Sequence, residues 1–243
     1  MSRRKNRRGG VLKALLALCL LGAAAMGFLL WRDLRPSREA EGWYEAVRRE
    51  SFSAAGPDWE ALRAQYPGIA GWLAAPEIGV DYPVMQGEDN QYYLNHLPDG
   101  SWNAAGSVFL DAACSPALTD PVTLVYGHHV GGGAMFSALL GYRKQSFYEK
   151  HPTLTYYTPE QAYRVEVFAA LQAREDDTPA FWGYAEAVSE ASRGQWLEEI
   201  AARSDISGEI PGPDSRLMGL VTCFSTREDA PRYIIYGKIE AME

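Results

Sequence analysis

The sequence predicts a mainly β protein, a closed barrel or a sandwich, behind an apolar amino-terminal helix. Three observations point there. From Gly71 onward, short segments rich in β-branched and aromatic residues are separated by Gly, Pro, Asp and Asn. Helical spacing is confined to a few stretches and does not alternate with the strands, which disfavours a doubly wound sheet. About 170 residues follow that point, enough to bury one core. The composition, 47% hydrophobic and 12% aromatic over 243 residues, excludes a disordered, collagen-like or disulfide-dense chain.

The amino terminus reads as a membrane anchor. Residues 1–10 carry Arg3, Arg4, Lys5, Arg7 and Arg8, and Ala14 to Trp31 holds no charge. With Val11, Leu12 and a snorkelling Lys13, the run 11–31 spans roughly 30 Å, the hydrocarbon thickness of a bilayer. The basic tail is expected to stay cytoplasmic and the body to lie outside. Ala23-Ala24-Ala25 offers a competing signal-peptide cleavage pattern, but Met26 to Trp31 continues the apolar run past it. Both readings export the body. Residues 1–38 hold nine basic side chains and one acidic, and the rest fourteen and thirty, so the ends differ as +8 and −16. An acidic body argues against nucleic-acid binding.

Residues 32–69 are expected to hold a linker and two helices capping the barrel. The first covers 37–54, with Trp43 and Val47 on one face, and the second 57–66, stopped by Pro67-Gly68. The β-rich body is expected to span 70–243 as one domain. Strands are expected at 72–74, 80–84, 106–110, 122–126, 153–157, 163–168, 217–222 and 233–239, with one helix at about 186–203 before the last two.

Few residues are equipped for chemistry. There is no GxSxG, Walker A, HExxH or GxGxxG. His128-His129 follow strand 122–126 through Gly127 and precede Val130-Gly131-Gly132-Gly133, which sets both imidazoles at a sheet edge. Alone, that segment reads more readily as a turn with two solvated histidines. Cys223 ends strand 217–222, as a small core residue or as a thiol nucleophile needing positive charge or a base nearby. A hairpin of the last two strands would bring Arg232 beside it, as an oxyanion stabiliser or as a surface ion-pair partner. A zinc site from His128, His129 and Cys223 lacks ligands at recognised spacing. The three cysteines, Cys19, Cys114 and Cys223, permit one exported disulfide, Cys114–Cys223, or a free reactive thiol.

Together these segments resemble the sortase family, specifically class B. The resemblance rests on Gly71-Trp72-Leu73, Asp81-Tyr82-Pro83-Val84, Asp89 to His96, Gly106 to Asp111, Tyr126-Gly127-His128, Leu220-Val221-Thr222-Cys223 and Arg232-Tyr233, in that order behind a matching anchor. It departs at Gly219, where the family's TLxTC motif has threonine, and at His129, often Asn in class B. The resemblance implies a barrel of about eight strands and a membrane-anchored, extracellular cysteine transpeptidase that uses no cofactor. Cys223 would attack a sorting-signal peptide bond of a surface protein to give a thioester. His128, favoured over His129, would serve as acid and then base, and Arg232 would hold the substrate and offset oxyanion charge. Motif matching adds Asn90 and Tyr126 as substrate-pocket residues. The acceptor would be an amine of a cell-wall precursor or of a pilin. L,D-transpeptidases are disfavoured because Thr222, not glycine, precedes Cys223, and NlpC/P60 peptidases because their cysteine precedes the histidine. The non-enzymatic alternative is an anchored binding domain closed by a Cys114–Cys223 disulfide.

Overall fold

A computed structural model of the chain describes the backbone of residues 3–54, 56–130, 133–174, 190–223 and 231–242, and their side chains except those of 3–9, 33, 190, 191 and 223. Helix α1, Arg3–Ser51, is a single 49-residue rod. Its apolar half makes it the one helix, among the described residues, long and apolar enough to cross a membrane. The expected linker before residue 37 is therefore absent, and Pro36 lies inside the helix. A proline there costs about 3 kcal/mol through a lost backbone bond. Tertiary packing overrides it, because Ala40, Tyr44 and Val47 are buried against the barrel and the Tyr44 hydroxyl donates to the Gly106 carbonyl at 3.0 Å.

A two-residue hairpin, β1 (Phe52–Ser53) and β2 (Gly56–Pro57), leads to helix α2, Trp59–Gln65. Asp58 caps α2 by accepting the Ala61 amide at 3.1 Å. Eight strands then close a barrel: β3 (Ile69–Ala75), β4 (Val80–Met85), β5 (Val108–Leu110), β6 (Val122–Tyr126), β7 (Thr153–Tyr157), β8 (Ala162–Ala173), β9 (Leu217–Cys223) and β10 (Arg232–Ala241). Their order around the barrel is β10-β8-β7-β3-β4-β5-β6-β9, and β9 returns to β10. All neighbours are antiparallel except β4/β5 and β6/β9. The mainly β, closed-barrel expectation holds.

Strand β8 runs five residues past its expected end at 168. Its polar alternation stops there because Ala169, Ala170, Leu171 and Ala173 are buried between two cores. One core fills the barrel with Leu73, Tyr82, Val84, Val108, Val125, Leu220 and Ile235, plugged by Phe136, Leu139 and Tyr142 from a run of 3-10 turns, Phe136–Arg143. Helix α3, Gln145–Tyr148, follows that run. The second core is external. Helix α4, Glu190–Arg203, lays Trp196, Leu197 and Ile200 over Leu124, Val221, Ile234 and Tyr236. The expected helix residues 186–189 lie outside the described residues. Burying one such side chain contributes about 1.5–3 kcal/mol, so α4 clamps the outer face of β6, β9 and β10.

Candidate active site

Three neighbouring strands build the site. Strand β6 runs parallel to β9 with Tyr126 opposite Val221, and the Gly127 amide extends the ladder by donating to the Val221 carbonyl at 3.0 Å. Strand β10 returns antiparallel to β9 with Arg232 opposite Cys223 and Tyr233 opposite Thr222. Two strands thus end, and a third begins, at one rim. His128 is the second residue beyond β6, Cys223 the last of β9 and Arg232 the first of β10. Separations of 95 and 9 residues in the chain become adjacent positions in the ladder.

His128 is half-buried, and its Nε2 lies 2.7 Å from the Leu94 carbonyl. A carbonyl only accepts, so Nε2 carries the proton and the neutral ring keeps its lone pair on Nδ1. Burial pushes the His128 pKa below the usual imidazole range, the bond to Leu94 opposes the shift, and the Arg232 charge adds to it. The neutral ring is therefore the resting form near pH 7, and its conjugate acid is a stronger proton donor than free imidazolium. The Leu94 carbonyl reaches that point because Gly106, at φ +58°, lies directly behind it; a Cβ there would stand 2.5 Å from the Leu94 and Tyr93 oxygens.

His129 does not line up with its neighbour. It pairs in an isolated bridge with Met135, and its buried Nδ1 has no hydrogen-bond partner. Burial depresses its pKa as well. The loop that carries both histidines is held by Met135, a buried residue at φ +55°, whose amide donates to the Tyr82 hydroxyl at 3.0 Å. The Tyr82 hydroxyl donates in turn to Glu41 Oε2 at 3.2 Å, and Arg48 pairs with Glu41 at 2.7 Å. A left-handed non-glycine backbone costs about 1–3 kcal/mol, so this chain of contacts from α1 is what holds the loop in shape.

Asn90 and Tyr126 meet on a residue that sequence reasoning passed over. Asp111 Oδ2 accepts from Asn90 Nδ2 at 3.0 Å and from the Tyr126 hydroxyl at 2.8 Å, while Oδ1 accepts the Ala113 amide at 2.9 Å. Asn90 Oδ1 accepts the Ala112 amide at 2.8 Å. Burial and the neighbouring carboxylate both raise the Tyr126 pKa, so the phenol stays protonated and donates. Asp111 ends the segment Gly106 to Asp111, and its position one residue past β5 was the available signal.

Cys114 is a free thiol, which removes the Cys114–Cys223 disulfide and the linked binding module built on it. Burial pushes the Cys114 pKa up to about 11, so it stays protonated and is a poor nucleophile. Among the described residues no group of three or more His, Cys, Asp or Glu stands close enough to hold a metal ion. The glycine at 219 also has a local reason. A Cβ there would meet Leu124 Cδ2 at 2.7 Å and the Tyr236 ring at 3.2 Å, the two side chains that pack beneath α4.

The closed eight-stranded barrel brings His128, Cys223 and Arg232 to one rim, at or just beyond the ends of three adjacent strands. The Sortase domain profile matches residues 73–240, and the chain belongs to the sortase family. The similarity falls on class B. The chain is 31% identical over 185 residues to sortase B of Staphylococcus aureus, covering 75% of each chain. It is 30% identical over 174 residues to sortase B of Listeria monocytogenes, covering 70% of this chain and 69% of the relative. The structure of a Staphylococcus aureus sortase B–substrate complex superposes with a TM-score of 0.75 at 27% identity, covering 85% of this chain and 99% of that one. A Streptococcus pyogenes class B sortase involved in pilus biogenesis superposes at 0.66 with 31% identity, covering 75% and 98%. Family membership supports a cysteine transpeptidase acting on cell-wall surface proteins.

Proposed function

We propose that this chain is a membrane-anchored cysteine transpeptidase that cleaves the carboxy-terminal sorting signal of surface proteins and joins them to an amine. Residues 1–10 form the cytoplasmic tail, 11–31 the single span, 32–69 the helical approach and 70–243 the extracellular catalytic barrel. His128 takes the proton of the Cys223 thiol, the resulting thiolate attacks the scissile carbonyl carbon, and the electron pair moves onto oxygen. The Arg232 guanidinium offsets that charge. As the intermediate collapses, the C–N bond breaks and His128 protonates the departing amine, leaving a Cys223 thioester. An acceptor amine then attacks the thioester, gives its proton to His128 and expels the thiolate. Asn90 and Tyr126, bridged by Asp111, line the substrate side.

The single observation that carries this reading is the ladder across β6, β9 and β10, in which Cys223 stands opposite Arg232 beside the strand leading into His128. The relatives support the substrate class: one was captured with a substrate, and another is involved in pilus biogenesis. The acceptor is an amine of a cell-wall precursor or a pilin lysine. The test is incubation with a panel of sorting-signal peptides and an amine acceptor, read by mass. A cleaved peptide joined to the amine is expected. Intact peptides across the panel, with Cys223 unmodified, would overturn the proposal.

A further inference from the structure

Outside the anchor, the exposed large apolar side chains among the described residues are Tyr92, Trp102, Ile210 and Met242. Ile210 and Met242 stand at separate places in the chain. Tyr92 and Trp102 belong to one loop. His96 pairs with Trp102 in an isolated bridge, and its ring stacks on Tyr92 at 4.1 Å with the planes 2° apart. Trp102 is 68% exposed, an unusual state for the largest side chain.

The loop is strapped to α1 at the end where the helix leaves its apolar run. Asn103 Nδ2 donates to the Pro36 carbonyl at 3.1 Å, and Trp43 Nε1 donates to Asp99 Oδ2 at 3.1 Å. Passing from Asp99 to Asn103 therefore moves from the level of Trp43 to that of Pro36, toward the apolar segment. Pro36 lies five residues past Trp31 in a continuous helix, which is about 7–8 Å of axial rise. Tryptophan and tyrosine favour the headgroup layer, where a flat ring is half in hydrocarbon and its polar edge stays wet.

We propose that the 92–102 loop is a membrane-docking face, with Trp102 and Tyr92 seated in the lipid headgroup layer beside the anchor. The inference rests on the anchor reading and goes beyond it, since an anchor alone specifies no contact between the barrel and the lipid surface. Leu94, whose carbonyl holds His128, belongs to the same loop. Docking therefore fixes the height of the catalytic rim above the bilayer. The occupant is lipid rather than wall glycan because the aromatic pair is tied to the helix a few residues from its apolar segment.

The full chain, reconstituted in phosphatidylcholine vesicles, tests this by tryptophan fluorescence, with wild type compared with Trp102→Phe and Trp31→Phe. The emission lost in Trp102→Phe is expected to be quenched by a headgroup-spin-labelled phosphatidylcholine and protected from aqueous iodide. If that difference signal is quenched by iodide and not by labelled lipid, while the Trp31 signal is lipid-quenched, the docking face is refuted and the anchor stands. If the Trp31 signal also escapes the lipid quencher, the anchor reading fails and the docking inference fails with it. A Trp102 signal that shifts with soluble glycan fragments and not with lipid would refute lipid as the occupant.

Discussion

Replacing Asp111 by Asn should disable the substrate side of the site while leaving the barrel folded. The wild-type carboxylate accepts three hydrogen bonds, from Asn90 Nδ2 and the Tyr126 hydroxyl on Oδ2 and from the Ala113 amide on Oδ1. An asparagine has one acceptor oxygen. If that oxygen faces Asn90 and Tyr126, its amide confronts the Ala113 N–H. If it faces Ala113, its amide confronts Asn90 Nδ2, which cannot turn over without losing the bond from the Ala112 amide. The Tyr126 hydroxyl can reverse and accept; the others cannot. At least one charge-assisted bond is lost in either arrangement, about 1.5–3 kcal/mol. If that loss falls wholly on the transition state, kcat/KM for a sorting peptide drops by roughly 10–150-fold. The assay is peptide cleavage by wild type, Asp111→Asn, Asn90→Ala and the double variant, with urea midpoints as the fold control. The singles are expected to be non-additive because they break the same contact. Additive losses, or an unchanged kcat/KM in Asp111→Asn, would refute the clamp.

Arg232→Lys keeps the charge but loses the planar fork. The expected loss in kcat is about 10²–10³, the size found when one oxyanion donor is removed; near-wild-type turnover removes Arg232 from that role. His128 has a folded pKa below its unfolded value, so between the two the unfolded chain binds more protons. Its contribution to stability is full above about pH 6.5 and is lost as pH falls through the folded pKa. Urea midpoints at pH 7.5 and pH 5 should therefore diverge less in His128→Gln than in wild type, and an equal or greater divergence contradicts the assignment. Tyr82→Phe leaves the Met135 amide buried without its acceptor, at a cost of about 1–3 kcal/mol in unfolding free energy. Its kcat should fall more than its KM rises, because the loss is in the loop that carries His128. Wild-type stability and turnover would refute the strut.

The strands were legible because their side chains alternate or cluster in short β-branched runs. Strand 122–126 is predicted and observed with the same bounds, and 153–157 likewise. The pairing of β9 with β10 was also within reach, since a short connection invites a hairpin. The parallel joint between β6 and β9 was not, because residues 126 and 221 are joined by a crossover that leaves no local mark. Pro36 signals a break that packing on the barrel overrides, and α1 stays whole. The end of β8 was missed because a strand covered on both faces loses its alternation. Asp111 went unnoticed for a related reason: a lone aspartate after a strand looks like turn chemistry until Asn90 and Tyr126 are seen to converge on it. Likewise, nothing near Tyr82 in the chain points to Met135 or Glu41. The chemistry-bearing types could be named from the sequence, but the contacts that hold them in place lie far apart along it.

The account depends most on where the acyl group rests. Wild type mixed with a cleavable sorting peptide, acid-quenched before turnover is complete and mapped by mass spectrometry, should carry the acyl mass on the peptide containing Cys223. That mass should disappear on adding hydroxylamine and never form in a folded Cys223→Ala variant. An adduct on Cys114, or cleavage persisting in Cys223→Ala, would contradict the account.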